Sequence, residues 1–145
     1  MLVPAALLAG AFAFQYWGGL YPCKMCWWQR YAHMAALAFA VLALFVRGRP
    51  LVWLAALAIA ASGAIGFYHA GVELDYFEGF TECTSTAAGG SVDDLLKQIM
   101  AAPMIRCDEI QWSWLGISMA GWNAILSLSA ALVILWLSLK RPRQA

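Results

Sequence analysis

Charge is what this chain has least of. Only 12% of its 145 residues are charged, against about 25% in soluble domains, while 63% are hydrophobic and the mean hydropathy is +0.70. Composition therefore argues against a soluble domain and for an integral membrane protein. Strand-type alternation is also missing. Backbone groups in lipid must be satisfied within the spanning element, so this absence argues against a barrel and leaves helices. Acidic residues are absent outside one stretch: Glu73, Asp75, Glu78, Glu82, Asp93, Asp94, Asp108 and Glu109 all fall between 71 and 114. Cysteine is absent from every long apolar run, and there is no second tight Cys-x-x-Cys of the kind structural zinc sites use.

What remains are four apolar runs, Leu2 to Trp17, Trp27 to Val46, Leu51 to Ala70 and Leu115 to Leu139. Each is measured against the roughly 20 residues that ~30 Å of hydrocarbon demands at 1.5 Å per residue; the first is the shortest. The expected fold is an all-α membrane protein, a single four-transmembrane-helix bundle over residues 1–145. Arg47 and Arg49, before Pro50, and Lys140, Arg141 and Arg143 in the tail fall on one side of such a bundle. The positive-inside rule puts that side, and both termini, in the cytoplasm. The outer side then carries loops at 18–26 and 71–114. A cleaved signal peptide is a rival reading of the N-terminus, since Ala11-Phe12-Ala13 has small-x-small spacing. A charged leader is missing, however, and Tyr16, Trp17 and Tyr21 suit the outer aromatic belt of a retained helix.

All four cysteines, Cys23, Cys26, Cys83 and Cys107, map to the outer loops, where disulfides persist. A Cys83–Cys107 staple would stabilise the long loop by roughly 3 to 4 kcal/mol in the chain-entropy model. Cys23 and Cys26, at i and i+3, close a ring too small to constrain much chain, and their proximity favours reversible oxidation instead. A closed zinc site would hold all four thiolates permanently, so no metal is expected. If the second helix begins near Pro22, both cysteines occupy its first turn, where unpaired amides favour a thiolate. Arg30, four residues beyond Cys26, shares their face about one turn deeper. A cation in a span is costly, and it either snorkels or functions; the dithiol beside it favours function.

Pro22-Cys23-Lys24-Met25-Cys26, Gln29-Arg30, and the run from Arg106-Cys107-Asp108 through Gln111-Trp112-Ser113-Trp114-Leu115-Gly116 together resemble the DsbB family of disulfide-bond formation proteins. The resemblance implies a bacterial inner-membrane, multi-pass enzyme that reoxidises a periplasmic DsbA-like thiol oxidase at the expense of membrane quinone, either ubiquinone or menaquinone. It implies that Cys83 and Cys107 form the pair attacked by the reduced partner and that Cys107 then engages Cys23, releasing Cys26 as a thiolate. It further implies that Cys26, Arg30 and His69 lie at the quinone. Two alternatives stand beside it. A vitamin K epoxide reductase-like enzyme also uses four cysteines and a quinone, but places its Cys-x-x-Cys late in the chain. A non-enzymatic membrane subunit with a stapled loop would tolerate replacement of Cys23 and Cys26.

Other residues carry blander expectations. His33 reads as helix packing or an interior hydrogen bond, and Trp27, Trp28, Trp112 and Trp114 as interface anchors. Ser91-Val92-Asp93-Asp94 resembles an N-cap opening a short amphipathic helix through about Ala101, with Gly89 and Gly90 as a hinge before it.

Overall fold

The computed structural model describes residues 1–46, 49–79, 91–93, 96 and 106–140. Cys83, the Gly89-Gly90 pair, Arg47, Arg141, Arg143 and most of the expected loop helix lie outside these residues. Within it, Val92 and Asp93 are helical and exposed.

Four helices dominate: α1 (Leu2–Tyr16), α2 (Lys24–Phe45), α3 (Arg49–Glu73) and α4 (Met119–Lys140). The last two are long and apolar enough to cross a membrane, and α1 is a shorter apolar helix. At 1.5 Å per residue, the 15 residues of α1 reach about 22 Å, and the 25 of α3 about 37 Å. Leu57, Phe67 and Leu132 are each more than 60% exposed, so large apolar side chains face outward as well as inward. Such an apolar exterior needs a lipid-like surround.

Backbone chemistry explains the helix ends. α1 stops at Gly18-Gly19, where Gly19 takes φ +68. α3 has proline at its second position and closes in a Schellman turn: Tyr76 N–H donates to Gly71 O (2.8 Å), Asp75 N–H to Val72 O (3.1 Å), and Asp75 has φ 59.

α2 begins at Lys24, two residues beyond Pro22, with Cys23 as its extended N-cap (φ −74, ψ 175) and the Cys23 sulfur accepting the Cys26 amide at 3.3 Å. One boundary differs from the sequence reading. α4 begins at Met119, not Leu115. A small antiparallel hairpin, β1 (Ser113–Trp114) with β2 (Ile117–Ser118), occupies the preceding residues. Its two central residues, Leu115 and Gly116, have φ 53 and 77, which is the inverted turn that matches strand twist and is incompatible with starting a helix there.

α3 packs most closely against α4 through small residues. Ala55, Ala56, Ile59, Ser62, Gly63 and Gly66 of α3 are buried, as are Ala120, Ala124, Ser127 and Ala131 of α4. A Cβ at Gly66 would lie 2.9 Å from Asn123 Nδ2 and 3.0 Å from Ala120 O, so the missing side chain is what permits this approach. Ala36 of α2 joins Ile59 and Ala131 in one apolar cluster that ties three helices together.

Candidate redox site and adjoining cavity

The cysteine end of the bundle forms around Cys23. Its sulfur lies 2.9 Å from Cys26 Sγ and 3.6 Å from His69 Nε2. Cys23 Sγ, a ring nitrogen of His69 and Cys107 Sγ all lie within 4.8 Å of one another. Cys23, Met25 and Val72 make the buried floor, and Cys26, Tyr68 and Cys107 pack against it. Three sequence-predicted cysteines and His69 are thus brought together. Cys107 reaches α2 from residues 106–110, where Arg106 Nε donates to Asp108 Oδ1 at 2.9 Å and braces the segment.

Cys107 joins Cys23 and Cys26 at the first turn of α2. Its sulfur hydrogen-bonds with the Cys23 thiol and also receives the backbone amides of Met25 and Lys24 in the first turn of α2. The Cys23 hydrogen bond is the largest influence, with the helix amides adding to it. Together they bring the Cys107 thiol down to about 6 from 9.0. The same contact with Cys107 pushes Cys23 up, with its neighbour Cys26 and burial in support. The contact thus favours the proton on Cys23 and thiolate character on Cys107, which faces the positive end of α2.

Arg30 is buried on α2 and turned toward α1. It donates from Nη1 to Gln15 Oε1 and from Nη2 to Ala11 O (3.0 Å). Its guanidinium lies 4.9 Å from the Phe12 ring centre and 5.1 Å from that of Trp27. Trp27 therefore packs on the Arg30 guanidinium as well as being an aromatic at a helix end. Among the described residues, these two hydrogen bonds use only part of the five-donor guanidinium fork.

Between α1, α2 and α4 lies a cavity of about 490 Å³. Leu7, Ala11 and Phe14 of α1 and Leu126 of α4 give it apolar walls, while Cys23, Cys26, Arg30 and His69 border it together. Trp112 also lines it and packs against Phe14 with ring centres 4.9 Å apart, so it too is more than an interface anchor. Its volume falls in the range of small-molecule sites.

A buried polar chain runs away from Cys23. Gln29 Nε2 faces His69 Nδ1 at 3.0 Å, Asn123 Nδ2 donates to Gln29 Oε1 at 2.7 Å, and His33 Nε2 meets Asn123 Oδ1 at 2.8 Å. Ser62 Oγ lies 3.0 Å from the same His33 nitrogen, and Ser127 Oγ donates to Asn123 Oδ1 at 2.9 Å. His33 is thus an interior hydrogen-bonding group. Glu73, whose Oε1 lies 3.8 Å from His69 Nε2, keeps a buried Oε2 that has no hydrogen-bond partner among the described residues. The sequence reading missed Asn123, Ser62 and Glu73 as neighbours of the site. The available signal was a polar side chain in, or at the end of, an otherwise apolar helix.

A family model described as "Disulfide bond formation protein DsbB" matches residues 1–137. The chain belongs to the DsbB family. Among curated relatives, the disulfide bond formation protein B of Marinobacter nauticus is 33% identical over 97% of this chain and 88% of its own length. That of an Azoarcus species is 33% identical over 92% and 84%, and that of Burkholderia ambifaria 32% over 96% and 84%. No solved structure matches. Membership of this DsbB family implies a thiol oxidoreductase role, and with the apolar helices it fits a bacterial membrane protein.

Proposed function

We propose that the chain is a membrane thiol:quinone oxidoreductase that reoxidises a periplasmic DsbA-like dithiol protein. The observation that carries this reading is the seat of the Cys23 sulfur, 2.9 Å from Cys26 and within 4.8 Å of Cys107, on the border of an apolar cavity that Arg30 also borders. One neighbour of Cys23 leads out to the loop and the other leads in to the cavity.

In this reading the partner's dithiol reduces a Cys83–Cys107 disulfide. The Cys107 thiolate then attacks the Cys23 sulfur of a Cys23–Cys26 disulfide: the Cys107–Cys23 bond forms, the Cys23–Cys26 bond breaks, and Cys26 leaves as a thiolate. A quinone head group suits the cavity by volume, by its apolar walls and by the cation and thiol at one end. When bound it supplies a two-electron acceptor. Across the cycle one partner dithiol becomes a disulfide, and two electrons and two protons pass to one quinone, giving one quinol. Cys26 donates the electrons, Arg30 holds negative charge near it, and the apolar walls exclude water. His69 borders the same end and offers a neutral hydrogen-bonding group.

The topology belongs to the same proposal. All four helices cross the bacterial inner membrane, with Cys23 and Cys107 on the periplasmic side and the Arg49 and Lys140 ends in the cytoplasm. Opposed basic and thiol ends of the bundle support this orientation. The test is oxidation of a reduced DsbA-like protein by the purified chain, followed by quinone absorbance, with Cys26→Ala as control. Quinone-dependent turnover that vanishes in the control is the expected result; no turnover with either ubiquinone or menaquinone analogues would refute the reading.

A further inference from the structure

The polar chain behind Cys23 has a fixed direction, set by two backbone carbonyls that can only accept. Asn123 Nδ2 donates to Ser62 O at 3.2 Å, which turns the Asn123 carboxamide so that the same nitrogen also meets Gln29 Oε1. Gln29 Nε2 donates to Met25 O at 3.3 Å, which turns the Gln29 carboxamide so that this nitrogen also meets His69 Nδ1. Reversing either amide would set oxygen against oxygen at a backbone carbonyl in a buried site. His69 Nδ1 can therefore only accept, and the imidazole proton resides on Nε2. The surroundings of the ring agree with this, since the Cys107 backbone carbonyl, which can only accept, hydrogen-bonds His69, with the Cys23 sulfur 3.6 Å and Glu73 Oε1 3.8 Å from Nε2.

We infer that the Asn123 and Gln29 carboxamides are a positioning device that holds His69 as the Nε2-protonated neutral imidazole, so that its N–H donates to the sulfurs during exchange at Cys23. The inference rests on the proposed attack of Cys107 on the Cys23–Cys26 disulfide. In that step no net proton or electron is lost, and one negative charge is spread over three sulfurs as one S–S bond forms and the other breaks. A donor beside the central sulfur, and within 4.8 Å of the attacking one, stabilises that charge. The opposite tautomer would present a lone pair to the same sulfurs and repel it. Asn123 and Gln29 act through His69, much as groups behind a metal-bound histidine fix its tautomer.

The device also explains why so polar a set is buried among apolar helices. Asn123 comes from α4, Gln29 from α2, and Ser62 and His69 from α3, so each of these three helices supplies part of the direction. Asn123 Oδ1 accepts from His33 Nε2 and Ser127 Oγ, which completes the Asn123 carboxamide without disturbing its orientation.

The chain has only two histidines, so nitrogen-15 histidine labelling of the full chain in lipid nanodiscs resolves both rings. His69 is expected to show a pyridine-type Nδ1 and a pyrrole-type Nε2. The reverse pattern in the unaltered chain overturns the inference without any variant having to fold. Gln29→Met removes the donor to Nδ1; it is expected to abolish the tautomer preference and to slow formation of the Cys23–Cys107 disulfide about ten- to hundredfold, followed by rapid quench and mass spectrometry in a Cys83→Ala background whose Cys23–Cys26 pair is oxidised and whose Cys107 is a free thiol. An unchanged tautomer or an unchanged rate in that variant also overturns it. Ser127→Ala, which leaves both carboxamides anchored, is expected to keep the tautomer. Both readouts are taken without quinone or partner protein, so a chain that fails to reduce quinone yet responds in this way would sink the proposed function and leave this inference standing.

Discussion

Reduction of the chain in a Cys83→Ala background leaves Cys107 free to display the thiolate that its seat on α2 favours. With a thiol pKa of about 6, as the Cys23 hydrogen bond and the Lys24 and Met25 amides impose, about nine-tenths of Cys107 is ionised at pH 7 and about a tenth at pH 5. An unperturbed thiol at 9.0 is about one-hundredth ionised at pH 7 and about one ten-thousandth at pH 5. Absolute rates separate these cases poorly, because a more acidic thiolate is a weaker nucleophile and offsets much of its greater abundance. The ratio of rates at pH 7 and pH 5 cancels that factor: about tenfold for the docked thiolate and about a hundredfold for an ordinary thiol. The assay is site-resolved alkylation by mass spectrometry on the reduced chain across pH 4.5 to 8. Cys23→Ala removes the largest influence and is expected to move the Cys107 midpoint upward. A ratio near a hundredfold in the parent, or a midpoint indifferent to Cys23→Ala, refutes the docking argument. The linkage follows in sign: the folded-state pKa is depressed, so the thiolate's contribution to stability is full above about pH 9 and is lost as pH falls through about 6.

Three further outcomes are expected. Arg30→Lys substitutes a point charge for a fork that reaches Gln15 and Ala11 O together, and should raise the KM for quinone about tenfold while leaving thiol exchange with the partner unchanged in rapid-quench experiments. Gly66→Ala forces a Cβ to within 2.9 Å of Asn123 Nδ2 and should destabilise the chain by about 1 to 3 kcal/mol in detergent melts. Gly10→Ala, with nothing within 4 Å, should be neutral to the same measurement. Cys26→Ala should accumulate a Cys23–Cys107 disulfide on non-reducing gels, given that these sulfurs already lie within 4.8 Å; consistent failure to form it would count against the order of exchange.

Local spacing made part of this arrangement legible. Cys23, Cys26 and Arg30 fall on one helical face by position alone, and long apolar runs announced α3 and α4. The N-cap role of Cys23 was not legible. It depends on the chain turning extended at that residue, and a cysteine is an uncommon cap, so Pro22 was the stronger signal. The hairpin was hidden because Leu115 adopts φ 53 inside an apolar sequence that otherwise reads as helix. Cys107 taking the α2 amides could not be inferred, since the contact is long-range and its donors are backbone groups. The Gln29, His69 and Asn123 chain spans up to 94 residues of sequence, and periodicity carries no information about which polar residues of different helices meet. Residue type alone points Trp112 to the membrane interface, and only the folded chain shows that it also lines the cavity against Phe14.

The seat of Cys107 on the first turn of α2 ties mechanical hold to oxidation state. Backbone amides grip an anion, whereas a sulfur consumed in a disulfide carries no charge for them to grip. A disulfide to a residue away from α2 would therefore give up this hold on residues 106–110, whereas a disulfide to Cys23 would replace it with a covalent tie to the N-cap of the same helix.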